Sequence, residues 1–363
     1  MAREDKIKDF EEELKKTKYN KRTQHHIGLV KAKIAKLKEE IIQKGKGKGK
    51  SDGYVLRKSG DATVVLVGFP SVGKSTLLNQ LTNAESKVAA YEFTTLTVVP
   101  GLMEHNMAKI QIFDVPGIVE GAADGTGRGR EVLAAIRTAD MLAVMLDINQ
   151  LHHHDILMEE LYEADFRVNK KRPDVRIKKK SKGGISISST VPLEVKKETL
   201  IAILKEFKYN NADVLIRTKI DTDELIDVIT GDKKYIYAML IINKIDSVSK
   251  EKLEEVKKRF PEAVYVSAGE GTNLEELKQK IYDNLHMIRI YLKEPGKEAD
   301  MTEPLILREG DTLQRLCEKL HKDFVKKFKF CRAWGKSARY DGQKLTNMQH
   351  IVKDEDIIEL HIK

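Results

Sequence analysis

The stretch Gly68-Phe69-Pro70-Ser71-Val72-Gly73-Lys74-Ser75 sets two glycines, a lysine and a hydroxyl at a spacing that suits phosphate. It follows the apolar run ATVVLV and precedes STLLNQL, so the loop joins an expected strand to an expected helix. Glycine lets the backbone come close to a ligand, and successive N–H groups at a helix start attract an anion. In that setting Lys74 reaches β- and γ-phosphates, Ser75 turns its hydroxyl oxygen to Mg²⁺, and Thr76 continues the site into the helix. Further along, Asp114-Val115-Pro116-Gly117 ends the strand-like KIQIF. Asp114 is then placed to hold Mg²⁺, and the Gly117 N–H to meet a γ-phosphate.

Asn243-Lys244-Ile245-Asp246 decides the base. A carboxylate accepts two hydrogen bonds at once, and guanine offers N1–H and its N2 amino group side by side, whereas adenine does not. Asp246 therefore selects GTP over ATP, since adenine would leave the carboxylate unpaired. The Lys244 stem can lie along the ring. Ser267-Ala268-Gly269 follows the next apolar run, where the Ala268 N–H is offered to guanine O6. Between the phosphate loop and Asp114 lies Phe93-Thr94-Thr95, and a threonine here can close onto Mg²⁺ while a γ-phosphate is present. Many GTPases place a water-orienting glutamine directly after the Asp-x-x-Gly motif; this chain has Ile118. Slow intrinsic hydrolysis follows, or help from elsewhere. Arg128, in the glycine-rich segment 121–129, and Arg130, just after it, are candidates for a charge-stabilising finger, with partner or RNA binding as the competing use.

The elements that must hold these loops alternate. ATVVLVG, KIQIFDVPG, MLAVMLDI, YAMLIINKID and AVYVSAG read as buried strands with helices between most of them. The expected fold is α/β, a doubly wound and mostly parallel sheet over residues 61–288. MLAVMLDI and YAMLIINKID should be neighbours, yet a long interval with its own strands and helices parts them. It reads as an inserted α+β subdomain over 165–232. Residues 1–50 read as a helical hairpin followed by a basic glycine-lysine stretch, with Ile7, Phe10 and Leu14 facing Ile27, Val30, Ile34, Leu37 and Ile41. Residues 289–363 read as a small β-grasp domain whose helix runs through TLQRLCEKLHKDF, capped by Thr312.

Charge and composition narrow the class. The net charge is +9, and residues 1–50 alone carry about +8. Further basic clusters occupy Arg167–Lys182 and Lys322–Arg339, a pattern suited to RNA. No apolar run approaches the length of a membrane span, which argues against a membrane partner, and the charged N-terminus lacks a signal core. Two cysteines, Cys317 and Cys331, have no metal-ligand spacing, and a cytoplasmic setting is expected. His152-His153-His154 reads as a solvated loop rather than a zinc site. Trp334 fits a core anchor or an RNA-stacking platform.

With those residues in place, the chain resembles the developmentally regulated GTP-binding (DRG) branch of the Obg-related GTPases. The resemblance rests on GFPSVGKSTLLNQLT, AAYEFTTLTVVPG, DVPGIVEGAADGTGRGR, KKKSKGGISI, NADVLIRT and LIINKID, and covers nearly the whole chain. It implies that Thr95, rather than Thr94, closes on the metal. The catalytic set is then Lys74, Thr95 and Gly117, and the metal set Ser75, Thr95 and Asp114. It implies a ribosomal-protein-like insertion, a C-terminal TGS domain, ribosome association, a role in translation and stimulation by an accessory protein. Related potassium-using GTPases often carry Asn where this chain has Ser71, so potassium stays open as a second cofactor beside Mg²⁺. The competing function is an RNA-binding adaptor in which GTP is mainly structural; Ile118 keeps it in play.

Overall fold

The structure is a computed structural model that describes residues 3–18, 20, 23–45, 60–82, 99–115 and 127–362. In chain order the elements begin with helices α1 (Arg3–Lys16) and α2 (Gln24–Gly45). Strand β1 (Ala62–Val67), α3 (Lys74–Leu81), β2 (Val99–His105), β3 (Ala108–Asp114), α4 (Gly127–Thr138), β4 (Met141–Asp147) and α5 (His153–Glu163) follow. Next come β5 (Phe166–Val168), β6 (Val175–Lys179), β7 (Ile185–Ser189), α6 (Lys197–Glu206), β8 (Ala212–Ile216) and α7 (Thr222–Thr230). After these run β9 (Lys234–Asn243), α8 (Lys250–Arg259), β10 (Val264–Tyr265) and α9 (Leu274–Asn284). The chain closes with β11 (Met287–Lys293), β12 (Ala299–Arg308), α10 (Leu313–Leu320), α11 (Lys322–Lys327), β13 (Phe328–Trp334), β14 (Gln343–Leu345) and β15 (Asp356–Ile362). They gather into two compact units, one of Met1–Gly53 with Asp165–Tyr235, the other of Tyr54–Ala164 with Ile236–Lys363.

In the second unit the main sheet has the order β10-β9-β4-β1-β3-β2, parallel except for β2 against β3. Every residue of β1 and β4 is buried, as expected where both faces of a parallel sheet are covered. The two runs that the long interval parts are neighbours: Met141 pairs with Tyr237 and Asp147 with Asn243. A second sheet, β12-β11-β15-β13-β14, packs on α10 through Ile290, Leu313, Leu316, Cys317, Cys331 and Ile358, which gives the β-grasp. Burial pushes the Cys317 thiol up to about 11 and that of Cys331 to about 12, so both behave as small apolar side chains. The expected single helix is two: His321 is extended (φ −164, ψ 139), and Phe324 belongs to α11. Thr312 stands at the N-cap without a side-chain cap bond. This C-terminal sheet is joined to the main one. Met287 and Ile306 share a core cluster with Leu277 and Ile281, Arg308 pairs with Asp140 at 2.7 Å, and Lys319 with Asp61 at 2.9 Å.

In the first unit, Ile7, Val30 and Ile34 form the hairpin seam with Phe10, Leu14, Leu37 and Ile41 packed around them. The opposite face of α2 lies on α6 and α7. Ala32 shares a cluster with Leu200, Ile203 and Leu225, and Lys31 pairs with Asp223 at 2.6 Å. The segments that read as separate modules thus share one core. β8 is the middle of a three-stranded sheet, antiparallel to β6 and parallel to β7. β6 lies inside the basic run, where its alternation of Val175 and Ile177 with Arg176 and Lys178 is hidden among lysines.

Candidate functional site

The loop leaving β1 turns through Ser71 (φ 63) and Gly73 (φ 99) before α3 starts at Lys74. A Cβ at Gly73 would sit 2.5 Å from Asn243 Nδ2, so this position admits only glycine. Lys74 is 8% exposed, and its ammonium donates to the carbonyl oxygens of Gly68 (2.9 Å) and Phe69 (3.0 Å). Burial draws its pKa below the ordinary lysine value, and the nearby Asp114 charge works the other way. The lysine is thus a partly desolvated cation curled on its own loop, able to trade two carbonyls for phosphate oxygens.

Asp114 ends β3, is 9% exposed and accepts a hydrogen bond from the Ser75 hydroxyl. A buried carboxylate touching a hydroxyl at a helix start is an all-oxygen donor pair, which fits a small hard dication that keeps most of its waters. The residues present therefore fit Mg²⁺. Among the described residues no cluster of three or more His, Cys, Asp or Glu side chains forms a metal site. Val115 is buried beside Asp114. Phe93, Thr94, Thr95, Pro116 and Gly117 lie outside the described residues, as does Ile118. Arg128 and Arg130 fall within α4.

On the base side, Asn243 is 2% exposed and ties two loops together. Its Nδ2 donates to the Val72 carbonyl (2.8 Å), and its Oδ1 accepts from the Ala268 N–H (2.9 Å). That N–H was expected to meet guanine O6; here it is given to Asn243, because the buried amide oxygen needs a donor. Lys244, held at φ 63, donates to the Ser71 carbonyl and pairs with Asp147, each at 2.8 Å. Asp147 also accepts from the Asn149 N–H at 2.8 Å. Burial disfavours its charge, and the bonds from Lys244 and Asn149 outweigh that, holding it below the usual carboxylate range. Asp246 is exposed at the short 3₁₀ turn Ile245–Ser247. Ser267 is wholly buried and bridges to Thr272 across the turn that carries Gly269.

The structure brings the phosphate loop, Asp114, Asn243–Asp246 and Ser267–Gly269 to the C-terminal ends of β1, β3, β9 and β10, where open α/β sheets bind ligands. Sequence reasoning missed Asp147; its signal was a lone carboxylate closing the otherwise apolar MLAVMLD. Of the three histidines only His152 stays in an exposed turn; His153 and His154 belong to α5. His153 opens α5, and its ring stacks on Phe69 of the phosphate loop at 4.1 Å.

Comparison with known proteins gives the family. Residues 63–179 match the 50S ribosome-binding GTPase family, residues 182–287 the C-terminal region of that domain, and residues 288–362 the TGS domain. The chain is 50% identical to a GTP-binding protein of Methanocaldococcus jannaschii, over all of its own length and 94% of the relative's. It is 43% identical to developmentally-regulated GTP-binding protein 1 of Xenopus laevis and to Ribosome-interacting GTPase 1 of Saccharomyces cerevisiae, with 98% of each chain covered.

Proposed function

This chain belongs to the developmentally regulated GTP-binding family of GTPases, and from that premise we infer that it is a Mg²⁺-dependent switch whose nucleotide state governs binding to the ribosome during translation in the cytoplasm. The observation that carries the switch chemistry is the Asn243 bridge, because it ties the phosphate loop to the loop after β10. Base and phosphates are then read by one connected frame. Lys74 leaves the Gly68 and Phe69 carbonyls for the β- and γ-phosphates, whose negative charge offsets its desolvation penalty. Ser75 and Asp114 would hold Mg²⁺, and Thr95 would join them in the GTP state. Bound there, the ion would supply neutralisation of charge on the phosphate oxygens. Gly117 gives its N–H to the γ-phosphate. Asp246 accepts from guanine N1–H and the N2 amino group, while Asp147 and the Ser71 carbonyl hold the Lys244 stem in place along the ring.

The ribosomal half of the reading is supported by the exposed cations Arg176 and Lys178 on β6, and by Lys326, Lys329, Arg332 and Lys336 near β13. An accessory protein that speeds turnover suits a chain with Ile118 where glutamine is usual. Sedimentation with ribosomes under GTP, GDP and nucleotide-free conditions tests the switch: binding should follow the nucleotide. Ribosome binding that ignores the nucleotide, with hydrolysis not accelerated by ribosomes, would instead favour the RNA-binding adaptor in which GTP is structural.

A further inference from the structure

The C-terminal sheet carries a row of aromatic and cationic side chains that the nucleotide site does not use. Side chains alternate along β13. Cys331 and Ala333 enter the β-grasp core, so Phe330, Arg332 and Trp334 lie on the other face. In register, Phe330 sits beside His361 of β15, and Arg332 between Lys344 of β14 and Glu359 of β15. The Phe330 and His361 rings stack at 4.2 Å with 16° between their planes. Lys344 Nζ lies 4.4 Å from the Phe330 ring centre, and Lys293 Nζ lies 4.5 Å from that of Trp334. Glu359, buried, accepts from Lys293 at 3.3 Å and pairs with His361 at 2.7 Å. Arg332 and Lys344 are exposed, and the three rings are half-buried.

We propose that this face binds single-stranded RNA, with bases stacked on the Phe330–His361 pair and on Trp334, and phosphates held by Arg332, Lys344 and Lys293. Flat rings with cations beside them are what single strands need, because every base has a face to stack and every step carries a phosphate. A protein partner is a poorer match, since the centre of a protein interface is depleted of charge, whereas here three cations ring two aromatic positions. Lys344 and Lys293 now cover the ring faces that bases would take, and their flexible stems let the ammonium groups move to phosphates. The proposal deepens the ribosome reading and rests on it.

Trp334 is the chain's only tryptophan, so its emission reports on this face alone. Full-length protein is titrated with a single-stranded RNA of about ten nucleotides, within the range of single-strand sites. The controls are the same strand with abasic positions, its DNA counterpart and a blunt RNA duplex. The RNA strand should quench Trp334, and the three controls should bind more weakly. Phe330→Ala and His361→Ala should each weaken binding about fivefold to a hundredfold, the range for losing one stacked base, with the salt slope unchanged. Lys344→Ala should lower that slope by about 0.7. GDP affinity of each variant shows whether it is folded. Equal binding of the abasic strand, the DNA or the duplex, or Trp334 emission unmoved by RNA, overturns the proposal without needing any variant. Ribosome sedimentation that survives every substitution would remove this face while leaving the ribosome reading intact.

Discussion

Asn243→Ala probes the frame on which both halves of the nucleotide depend. The substitution deletes one donor and one acceptor at a position 2% exposed. It leaves the Val72 carbonyl and the Ala268 N–H without partners; both residues are 1% exposed. An orphaned buried polar group costs about 1–3 kcal/mol, so the two together cost about 2–6 kcal/mol. Water entering the space left by the amide recovers part of this, which favours the lower half of the range. If about 2 kcal/mol falls on the nucleotide-bound geometry, affinity drops about thirtyfold. The bridge touches the loop after β10 and Val72 within the phosphate loop, so GTP and GDP should suffer alike. Titration calorimetry with both nucleotides, beside a thermal melt of the nucleotide-free protein, separates lost affinity from lost stability. Affinities for both within threefold of the parent and an unmoved melting point would refute the reasoning, because the bridge would then carry nothing.

Three further outcomes follow from the same site. Asp246→Asn should move preference from GTP toward xanthosine triphosphate, since the amide can donate to the new carbonyl; competition binding with both nucleotides checks it. Lys74→Met should abolish tight nucleotide binding yet leave the nucleotide-free protein at least as stable. The folded lysine has a lowered pKa, so the unfolded chain binds more protons between that value and 10.5. The penalty is therefore present at neutral pH and fades as pH rises through that window; melts of parent and variant across pH should converge at the alkaline end. Intrinsic turnover should be at or below about 10⁻² s⁻¹, and single-turnover assays run in potassium and in sodium salts measure it and show whether potassium matters.

The parts legible in the sequence are those whose meaning is local or periodic. A loop such as GFPSVGKS carries its chemistry in neighbouring residues, and the hairpin seam repeats at helical spacing from Ile7 to Leu14 and from Val30 to Ile41. The adjacency of β4 and β9 was legible because each carries a continuous apolar run, MLAVML and AMLII, and a structureless interval of that length is improbable. What was hidden depends on pairings between distant positions. Asp147 acquires its role only when register sets it beside Asn243 and within reach of Lys244. The Ala268 N–H meets the Asn243 side chain because Asn243 is buried between two loops, which no local pattern announces. The break at His321 interrupts an unbroken helical period, since the β-grasp must turn into β13. β6 was masked by its lysines, although Val175 and Ile177 keep a strand's alternation.

The shared core of α2 with α6 and α7 bears on how this chain is made. The hairpin leaves the ribosome well before the helices that cover its second face, around Ala32, which are synthesised only after the phosphate loop, β3 and β4. At about 5–20 residues per second the wait between Gly45 and Thr230 is on the order of ten to forty seconds. During that time an apolar helix face stands without its partner beside the surface of the translating particle. β4 waits similarly for β9, so neither unit can close until the inserted segment has been completed. Shortening the insertion, or slowing synthesis across it, should therefore reduce the yield of folded nascent chain through both units together, even where the mature protein would tolerate the change.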